Sequence, residues 1–452
     1  MYLSLLQVQA QEPAPPPYKT MRSEEDYRYL RDPGRRTDFF DPVKYIPLDD
    51  EGENFLTLGG DLRLRYEHFR NPGWGSGPDE DGSLLQRYMF HADLHPADSF
   101  RAFVQFKSCL EYGREGGPRP ADEDRLDLHQ LFFDVLPSLA SEDSFTLRLG
   151  RQELQYGSSR LVSTRDGPNV RQSFDAARSI LRFSKWRADA FVSRPVETDP
   201  GVFDDGPDDS RLFWGLYAVS PPNVILGGAA DLYYLGLDRE DAEFDQGTAH
   251  EVRHSLGARF FRGDGPVDYN FEVVYQFGRF GQGDLQAWTA ASDTGLTLEE
   301  LPGRPRLGLK ANIASGDRDA SDADLETFNP LFPRGSYFSE TGLIGPANFF
   351  DLHPSLSLET SEATTLAVDW DFFWRQSTSD GIYGTALNLV RTGQSSDERY
   401  IGSQLSISLE CQVDRHAELT LFYAHFFAGP FLRETPPGED VDFLGAWITY
   451  GF

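Results

Sequence analysis

The chain reads LGAWITYGF over residues 444–452, and this stretch decides the fold class. Its large side chains recur at every second position: Leu444, Ala446, Ile448, Tyr450 and Phe452. A period of two residues is typical of a β-strand that presents one apolar face. A strand of this kind favours aggregation unless it is paired or lies in lipid. The segment therefore predicts a final strand that is either paired or embedded in a membrane.

The same alternation recurs along the chain from residue 55 onward. In residues 267–278, apolar side chains from Val267 to Phe277 oppose polar side chains from Asp268 to Gln276. Segments of about 9–11 residues suit tilted membrane strands. The pattern predicts eighteen strands, at residues 55–69, 84–95, 99–112, 126–136, 145–154, 174–183, 186–194, 210–219, 223–235, 250–261, 267–278, 284–294, 304–314, 363–375, 381–391, 400–413, 417–427 and 441–452.

The connections between these strands alternate in length. Every second connection is short or of moderate length: 96–98, 137–144, 184–185, 220–222, 262–266, 295–303, 377–380 and 414–416. Those between them are mostly long: 70–83, 113–125, 155–173, 195–209, 236–249, 279–283, 315–362, 392–399 and 428–440. A β-sandwich has no reason to sort its loops in this way. The pattern predicts an all-β, transmembrane, antiparallel up-and-down β-barrel with short periplasmic turns and long extracellular loops.

Composition excludes several other classes. The 452 residues carry a formal net charge of −30, which excludes a basic nucleic-acid binder. No apolar run approaches the roughly 20 residues of a spanning helix, and 13% aromatic residues argue against disorder. The mean hydropathy of −0.47 is compatible with a barrel, because half of each strand faces water inside. Acidic residues concentrate in 195–209 and 236–249, so we expect the negative charge on the long-loop rim.

The N-terminal part differs from the rest. Residues 1–10 resemble the end of a secretory signal peptide with a small-residue cleavage site after Ala10. Residues 11–52 are rich in Pro, Arg, Tyr and Asp and lack an apolar period, which predicts an extended leader. The barrel is expected over residues 53–452.

The inward face of the predicted strands carries charges of both signs. The candidate pore-lining residues on these strands are Arg63, Arg65, Arg87, Arg101, Lys107, Arg148, Arg253, Arg259, Lys310, Asp369 and Arg375. Such charges either pair across the lumen and hold it together, or form a ladder that conducts charged or hydroxylated solutes. Both interpretations remain open from the sequence.

One region departs from this balance of charge. Residues 148–182 are rich in arginine, and they include the loop GSSRLVSTRDGPNVRQ at 157–172. We expect this loop to fold inward and narrow the pore. Arginine binds carboxylates through two parallel hydrogen bonds, so such a constriction favours anionic solutes. Its candidate residues are Arg151, Arg160, Arg165, Asp166 and Arg171.

Three stretches resemble the alginate-export porin family. They are LRLGRQELQYGSSRLVSTRDGPNVRQSFDAAR (147–178), SGDRDASDADLETFNPLFP (315–333) and QLSISLECQVDRHAELTLFYAHFFAGPF (404–431) with the terminal FLGAWITYGF. The resemblance covers about residues 55–452. It implies a monomeric outer-membrane barrel, and its namesake exports the polyuronate alginate through an arginine-lined pore gated by loops. The mixed charges here depart from a strongly positive pore, so we expect the wider class of anionic or polyhydroxylated solutes, with alginate-like polysaccharide as one member.

Two other motifs suggest metal chemistry. His250-Glu251-Val252-Arg253-His254 matches H-E-x-x-H, but that zinc motif requires a helix, and the surrounding residues alternate as a strand. Asp317, Asp319, Asp322 and Asp324 resemble a calcium loop without matching the EF-hand pattern. We expect a solvated acidic loop there, with a structural Ca²⁺ ion as the alternative and no other cofactor.

The sequence thus predicts a non-enzymatic porin in the outer membrane of a Gram-negative-type bacterium. Its expected solutes are anionic or polyhydroxylated, and export of an alginate-like polysaccharide is one form of this function. Its expected partners are outer-membrane lipid and a sugar-like solute or polysaccharide, without nucleic acid. The alternatives are a barrel-borne hydrolase and a soluble β-rich binding protein.

Overall fold

The structure is a computed structural model that describes residues 15–137 and 143–452. The predicted signal-peptide remnant at 1–10 lies outside these residues. Within them, eighteen strands build the barrel: β1 (Phe55–Arg70), β2 (Glu80–Ala97), β3 (Phe100–Tyr112), β4 (Asp124–Val135), β5 (Ser144–Gln152), β6 (Phe174–Phe183), β7 (Trp186–Glu197), β8 (Arg211–Val219), β9 (Ala229–Phe244), β10 (Gly247–Arg262), β11 (Val267–Phe280), β12 (Gly283–Thr297), β13 (Arg306–Ala314), β14 (Phe349–Ser361), β15 (Thr364–Trp374), β16 (Tyr400–Gln412), β17 (Ala417–Ala428) and β18 (Val441–Gly451).

Each barrel strand pairs antiparallel with the next, and β18 pairs with β1. Leu64 of β1 lies opposite Ile448 of β18, so the sheet closes without a free edge. Leu444 and Ile448 are 49% and 40% exposed on the outer surface. The apolar face of the last strand thus points away from the lumen, and closure satisfies its backbone donors and acceptors. The predicted closed 18-stranded barrel is confirmed.

The remaining elements are short. The 3₁₀ turns are Arg22–Glu24, Arg28–Arg31, Pro33–Arg35 and Gly393–Ser395, and the one-turn helices are Asp41–Lys44, Pro72–Gly75 and Pro430–Glu434. Small strands occur at Ile46–Pro47, Gly206–Pro207, Ile382–Tyr383 and Leu389–Arg391. No helix in the described parts of the chain has both the length and the apolar character needed to cross a bilayer.

One predicted strand is wrong, and one strand was not predicted. Residues 381–391 form only a small hairpin within the connection 375–399, so residues 377–380 are not a short turn. Residues 349–361, expected within a loop, form β14. Pro354 interrupts the sequence pattern of β14 and lacks the N–H that a strand pairs; the pairing with β15 passes from Leu352 directly to Ser355. The predicted number of eighteen strands is still correct because the missed strand β14 balances the wrongly predicted strand 381–391.

The sorting of connections by length holds with three exceptions, one of which is the short-turn connection 220–228, as long as the long-rim connection 71–79. The long-loop rim carries residues 71–79, 113–123, 153–173, 198–210, 315–348, 375–399 and 429–440. The same rim also carries two-residue turns at 245–246 and 281–282. The predicted acidic loop at 236–249 is wrong, since β9 and β10 continue through it as a hairpin. Apolar alternation stops there although the strands continue, because strand ends that project beyond the apolar belt need no apolar face.

The leader packs across the short-turn rim instead of extending away from it. Arg22 donates from Nη1 to the carbonyl of Gly60 at 2.7 Å and from Nη2 to the carbonyl of Phe452 at 2.8 Å. The Lys44 ammonium lies 5.0–5.7 Å from the ring centres of Tyr18, Tyr27 and Phe452. Residues 15–52 therefore cover part of this barrel mouth.

Docking of the leader is expected to strengthen between pH 7 and about 10. Burial, and then the neighbouring Arg22 guanidinium, lower the pKa of Lys44 to about 7, whereas an exposed lysine has a pKa of about 10.4. The free leader therefore binds more protons in this window, so raising the pH favours the docked state. The fluorescence anisotropy of a dye on Thr37→Cys, in a Cys411→Ser background, measures docking. Lys44→Met should abolish the pH dependence, and matching profiles for both proteins would contradict the assignment.

Candidate pore and its lining

Two long-rim connections enter the lumen and meet there. We name residues 153–173 the first lumen loop and residues 315–348 the second lumen loop. Val162 of the first forms a parallel bridge with Phe332 of the second, and the Phe332 N–H donates to the Leu161 carbonyl at 2.9 Å. The prediction that residues 157–172 fold inward is confirmed.

An apolar core inside the barrel holds both lumen loops. Leu161 and Val162 of the first and Phe332 of the second pack in one cluster with inward-facing wall residues such as Phe174 and Phe213. The Phe332 ring centre lies 5.1 Å from that of Phe174 and 4.9 Å from that of Phe213. One side of the lumen is therefore filled. The large apolar side chains in both loops are the feature of the sequence from which this core could have been predicted.

The other side of the lumen is polar, and arginines of the wall fix the first lumen loop there. Arg63 donates from its two terminal nitrogens to the carbonyls of Asp166 and Pro168, each at 2.8 Å. Arg87 donates from Nη2 to Asp166 Oδ1 at 2.8 Å. Arg171 lies 3.3 Å from the same carboxylate oxygen. Three guanidinium groups, those of Arg87, Arg171 and Arg63, lower the pKa of Asp166 against the effect of its burial.

Two adjoining cavities lie beside this contact, and together we name them the basic passage. The larger, about 640 Å³, also borders the leader. Its charged lining residues are Lys19, Arg22, Arg63, Arg87, Arg171 and Arg415 against Asp61, Asp166 and Glu418. The smaller, about 300 Å³, has Arg63, Arg65 and Arg334 against Asp166 and Glu340. Thr20, Arg63, Asp166 and Trp447 border both cavities, so the passage runs along the polar wall.

Most of the predicted pore-lining residues are ion-paired. The pairs are Arg65–Glu67 (2.7 Å), Arg101–Asp93 (2.7 Å), Lys107–Asp124 (2.6 Å), Arg148–Asp134 (2.7 Å), Arg151–Asp175 (2.9 Å), Arg160–Glu272 (3.5 Å), Arg171–Glu153 (2.7 Å) and Arg259–Asp231 (2.9 Å). Asp369 is hydrogen-bonded to His353 Nε2 at 2.8 Å. These charges hold the polar lumen together. Most of these pairs lie on one strand or join neighbouring strands, so charges pair along the wall and not across the lumen as expected. Arg160 of the first lumen loop pairs with Glu272 on β11.

Arg253 and Arg375 do not line a pore, which corrects that prediction. Both side chains are fully buried. Arg253 donates to the carbonyl of Thr327 in the second lumen loop, and Arg375 donates to the carbonyls of Thr378 and Glu398 in the connection 375–399. Both arginines face inward as expected, but the loops fold over them and take their hydrogen bonds.

Two arginines of the lumen loops lack a carboxylate partner. Among the described residues, neither Arg165 nor Arg334 has a carboxylate oxygen within 4.0 Å, although Arg334 donates to the Tyr337 carbonyl at 2.9 Å. Burial, and then the neighbouring Arg211, lower the pKa of Arg165 to about 10. Both groups still carry their charge at neutral pH. They provide positive potential without a directly paired carboxylate.

The two motifs that contain metal-ligating residue types lie on a strand and in an acidic segment of the described chain. The H-E-x-x-H segment lies on β10, where His250 contacts Asp238 and His254 contacts Tyr234, while Glu251 is fully buried and faces inward. In the acidic segment, Asp317, Asp319, Asp322 and Asp324 do not include three oxygens that lie within 4.8 Å of one another in the described chain. Burial raises the pKa of Asp317 to about 6.

A family model described as alginate export matches residues 54–445. The chain belongs to the alginate export family. A search of curated protein sequences gave no match. With the closed barrel, family membership makes the protein an outer-membrane channel for solutes in a Gram-negative bacterium, as predicted. The soluble binding protein is thereby excluded.

Solved outer-membrane proteins share the fold at low sequence identity. OccAB1 of Acinetobacter baumannii is 11% identical with a TM-score of 0.59, covering 91% of this chain and 99% of its own. A BenF-like porin from Pseudomonas fluorescens is 10% identical with a TM-score of 0.59, covering 88% and 98%. OccD3 of Pseudomonas aeruginosa is 13% identical with a TM-score of 0.57, covering 91% and 93%. These similarities establish the barrel architecture.

Proposed function

We propose that this member of the alginate export family passes anionic, hydroxylated solutes along the basic passage, with uronate-type sugars as one class of solute. The observation that carries the proposal is the charge of the larger cavity, where six basic side chains face three carboxylates. A low-dielectric wall focuses this excess and raises the local concentration of anions. Ser, Thr and Trp side chains of the smaller cavity offer hydrogen bonds and a stacking face to a sugar ring.

The proposal includes a passive, monomeric channel without catalysis. Pairing of β18 with β1 of the same chain makes each chain a complete barrel, so a single chain can form the channel. The position of the H-E-x-x-H segment on a strand argues against the alternative of a zinc hydrolase, since its histidines and Glu251 lie on opposite faces.

Neutralising Arg334, which lines the smaller cavity, together with Arg165, which lies between its lining residues Thr164 and Asp166, is expected to lower the ratio of anion to cation permeability in the double variant Arg165→Gln and Arg334→Gln. Each substitution removes a charge without leaving a carboxylate unpaired, so the fold should persist. Reversal potentials in planar bilayers under a KCl gradient measure the ratio.

Lys185→Gln is the matched control, because it removes one positive charge at an exposed turn outside the lumen. Its reversal potential should equal that of the parent protein. Unchanged selectivity in the double variant would contradict the assigned solute class, while the family assignment as a channel would remain.

A further inference from the structure

A separate polar cluster lies on the inner wall of β14 and β15, near the long-loop rim. Asp351 and His353 project inward from β14, and Asp371 projects inward from β15. One possible ligand atom from each residue lies within 4.8 Å of the other two. These three side chains are distinct from those that line the basic passage, and their geometry allows them to share one ion.

The carboxylates of this cluster are buried and incompletely satisfied. Asp351 and Asp371 are each 1% exposed. Among the described residues, Asp351 Oδ2 and both oxygens of Asp371 accept no hydrogen bond. His353 Nδ1 lies 3.0 Å from Asp371 Oδ2, without hydrogen-bond geometry. Buried carboxylate oxygens without donors are costly, and an ion bound between them would satisfy them.

Outer contacts direct the free ligand atoms toward the centre of the cluster. His353 Nε2 lies 2.8 Å from Asp369 Oδ1, so a proton on Nε2 bonds to that carboxylate and leaves the Nδ1 lone pair free. Asn312 donates from Nδ2 to Asp351 Oδ1 at 2.8 Å, which leaves Oδ2 free. A carboxylate behind a ligating imidazole is a recurrent feature of metal sites.

The net negative charge of the cluster suits a divalent cation. The carboxylates of Asp351, Asp369 and Asp371 face the ammonium group of Lys310, which is the cross-strand partner of His353. The nearby Arg160 guanidinium donates to the Asn312 side chain and is itself paired with Glu272 at 3.5 Å. The cross-strand neighbours on β16, Gln404 and Ser406, are neutral. With neutral His353, two negative charges remain, and one divalent ion cancels them.

We propose that Asp351, His353 and Asp371 bind a zinc-class divalent transition metal through one imidazole nitrogen and two carboxylates. Nitrogen with oxygen ligands suits Zn²⁺, whereas Ca²⁺ and Mg²⁺ prefer oxygen alone. Three protein ligands leave a fourth position for water or a solute oxygen. The other acidic group, Asp124, Asp127 and Asp205, already holds the Lys107 ammonium at 2.6 and 2.8 Å from two of its carboxylates.

Calorimetric titration of the chelator-treated barrel in detergent with Zn²⁺ tests the proposal. The parent protein should bind a single Zn²⁺ per chain and should not bind Ca²⁺ at this site. Asp369→Asn should weaken Zn²⁺ binding by about 10- to 100-fold, and Asp371→Asn and His353→Gln should weaken it further. Asp322→Asn, in an exposed acidic stretch, is the matched control and should leave the affinity unchanged.

The visible spectrum of the Co²⁺-loaded parent protein gives a second measurement that does not depend on a variant. A tetrahedral nitrogen and oxygen ligand set should give intense d–d bands, which added Zn²⁺ should remove. Heat-modifiable gel mobility identifies variants that retain the barrel. No Zn²⁺ binding by the parent, equal binding by folded Asp371→Asn or His353→Gln, or preferential binding of Ca²⁺ would each overturn the proposal.

Discussion

Replacing Arg253 with methionine is expected to lower the free energy of unfolding by about 3–5 kcal/mol. Arg253 and Glu251 are both 0% exposed and form an ion pair on β10. Arg253 also donates to Gln276 Oε1 at 2.6 Å, while the Asn329 side-chain amide donates to Glu251 at 3.3 Å. Removal of the guanidinium leaves a buried carboxylate uncompensated and releases the second lumen loop. Urea-induced unfolding in detergent, followed by tryptophan fluorescence, measures the change.

Two further variants distinguish the buried charge from simple loss of packing. Glu251→Met added to Arg253→Met should recover much of the lost stability, because an apolar pair of similar volume replaces the ion pair. Arg304→Met removes one partner of the exposed pair Arg304–Glu359, whose side chains are 51% and 48% exposed. This control should change the stability by less than about 1 kcal/mol. A double variant as unstable as Arg253→Met would contradict the explanation.

Removing the first lumen loop is expected to raise the single-channel conductance severalfold. Replacement of residues 157–168 by a short glycine–serine linker takes Leu161 and Val162 out of the apolar core and removes the carbonyls bound by Arg63. Water and ions then enter space that protein now fills. Anion selectivity should also change, since Arg63 and Arg87 become free to face the solute. Single-channel recording in planar bilayers measures both quantities.

The matched control is a glycine–serine replacement of residues 115–118, an exposed segment on the long-loop rim. Its conductance should equal that of the parent protein, because this segment lies outside the lumen core. A first-loop variant with parental conductance would show that the narrowest point lies elsewhere, beneath the leader or at the second lumen loop.

The strand pattern was predictable wherever one face of a strand meets an apolar environment. The alternation in residues 267–278 anticipated β11 closely. The prediction from alternation was wrong at β14, where Pro354 interrupts the pattern, and at 381–391, where the apolar residues pack in the core between loops. Ile382 and Tyr383 are buried among loops instead of facing outward. Alternation of apolar and polar residues shows that one face of a segment meets an apolar environment. It does not show whether that environment is lipid or folded loops.

The candidate site was only partly predictable from the sequence. The position of Arg165 in an arginine-rich loop pointed correctly to a segment inside the lumen. The hydrogen-bond partners of the wall arginines could not be predicted from the sequence, because Arg63 binds carbonyls 103 and 105 residues away along the chain. The cluster around His353 was missed for the same reason that β14 was missed.

The sequence by itself determined the barrel, its closure by an apolar last strand, and the inward position of most charges. These properties follow from local periodicity, since side chains alternate across a strand and each face meets one environment. Only the tertiary structure decided which arginines remain unpaired, as Arg165 does, and which are buried beneath loops, as Arg253 is. Pairing and burial depend on contacts between strands and loops distant in sequence, and local periodicity contains no information about those contacts.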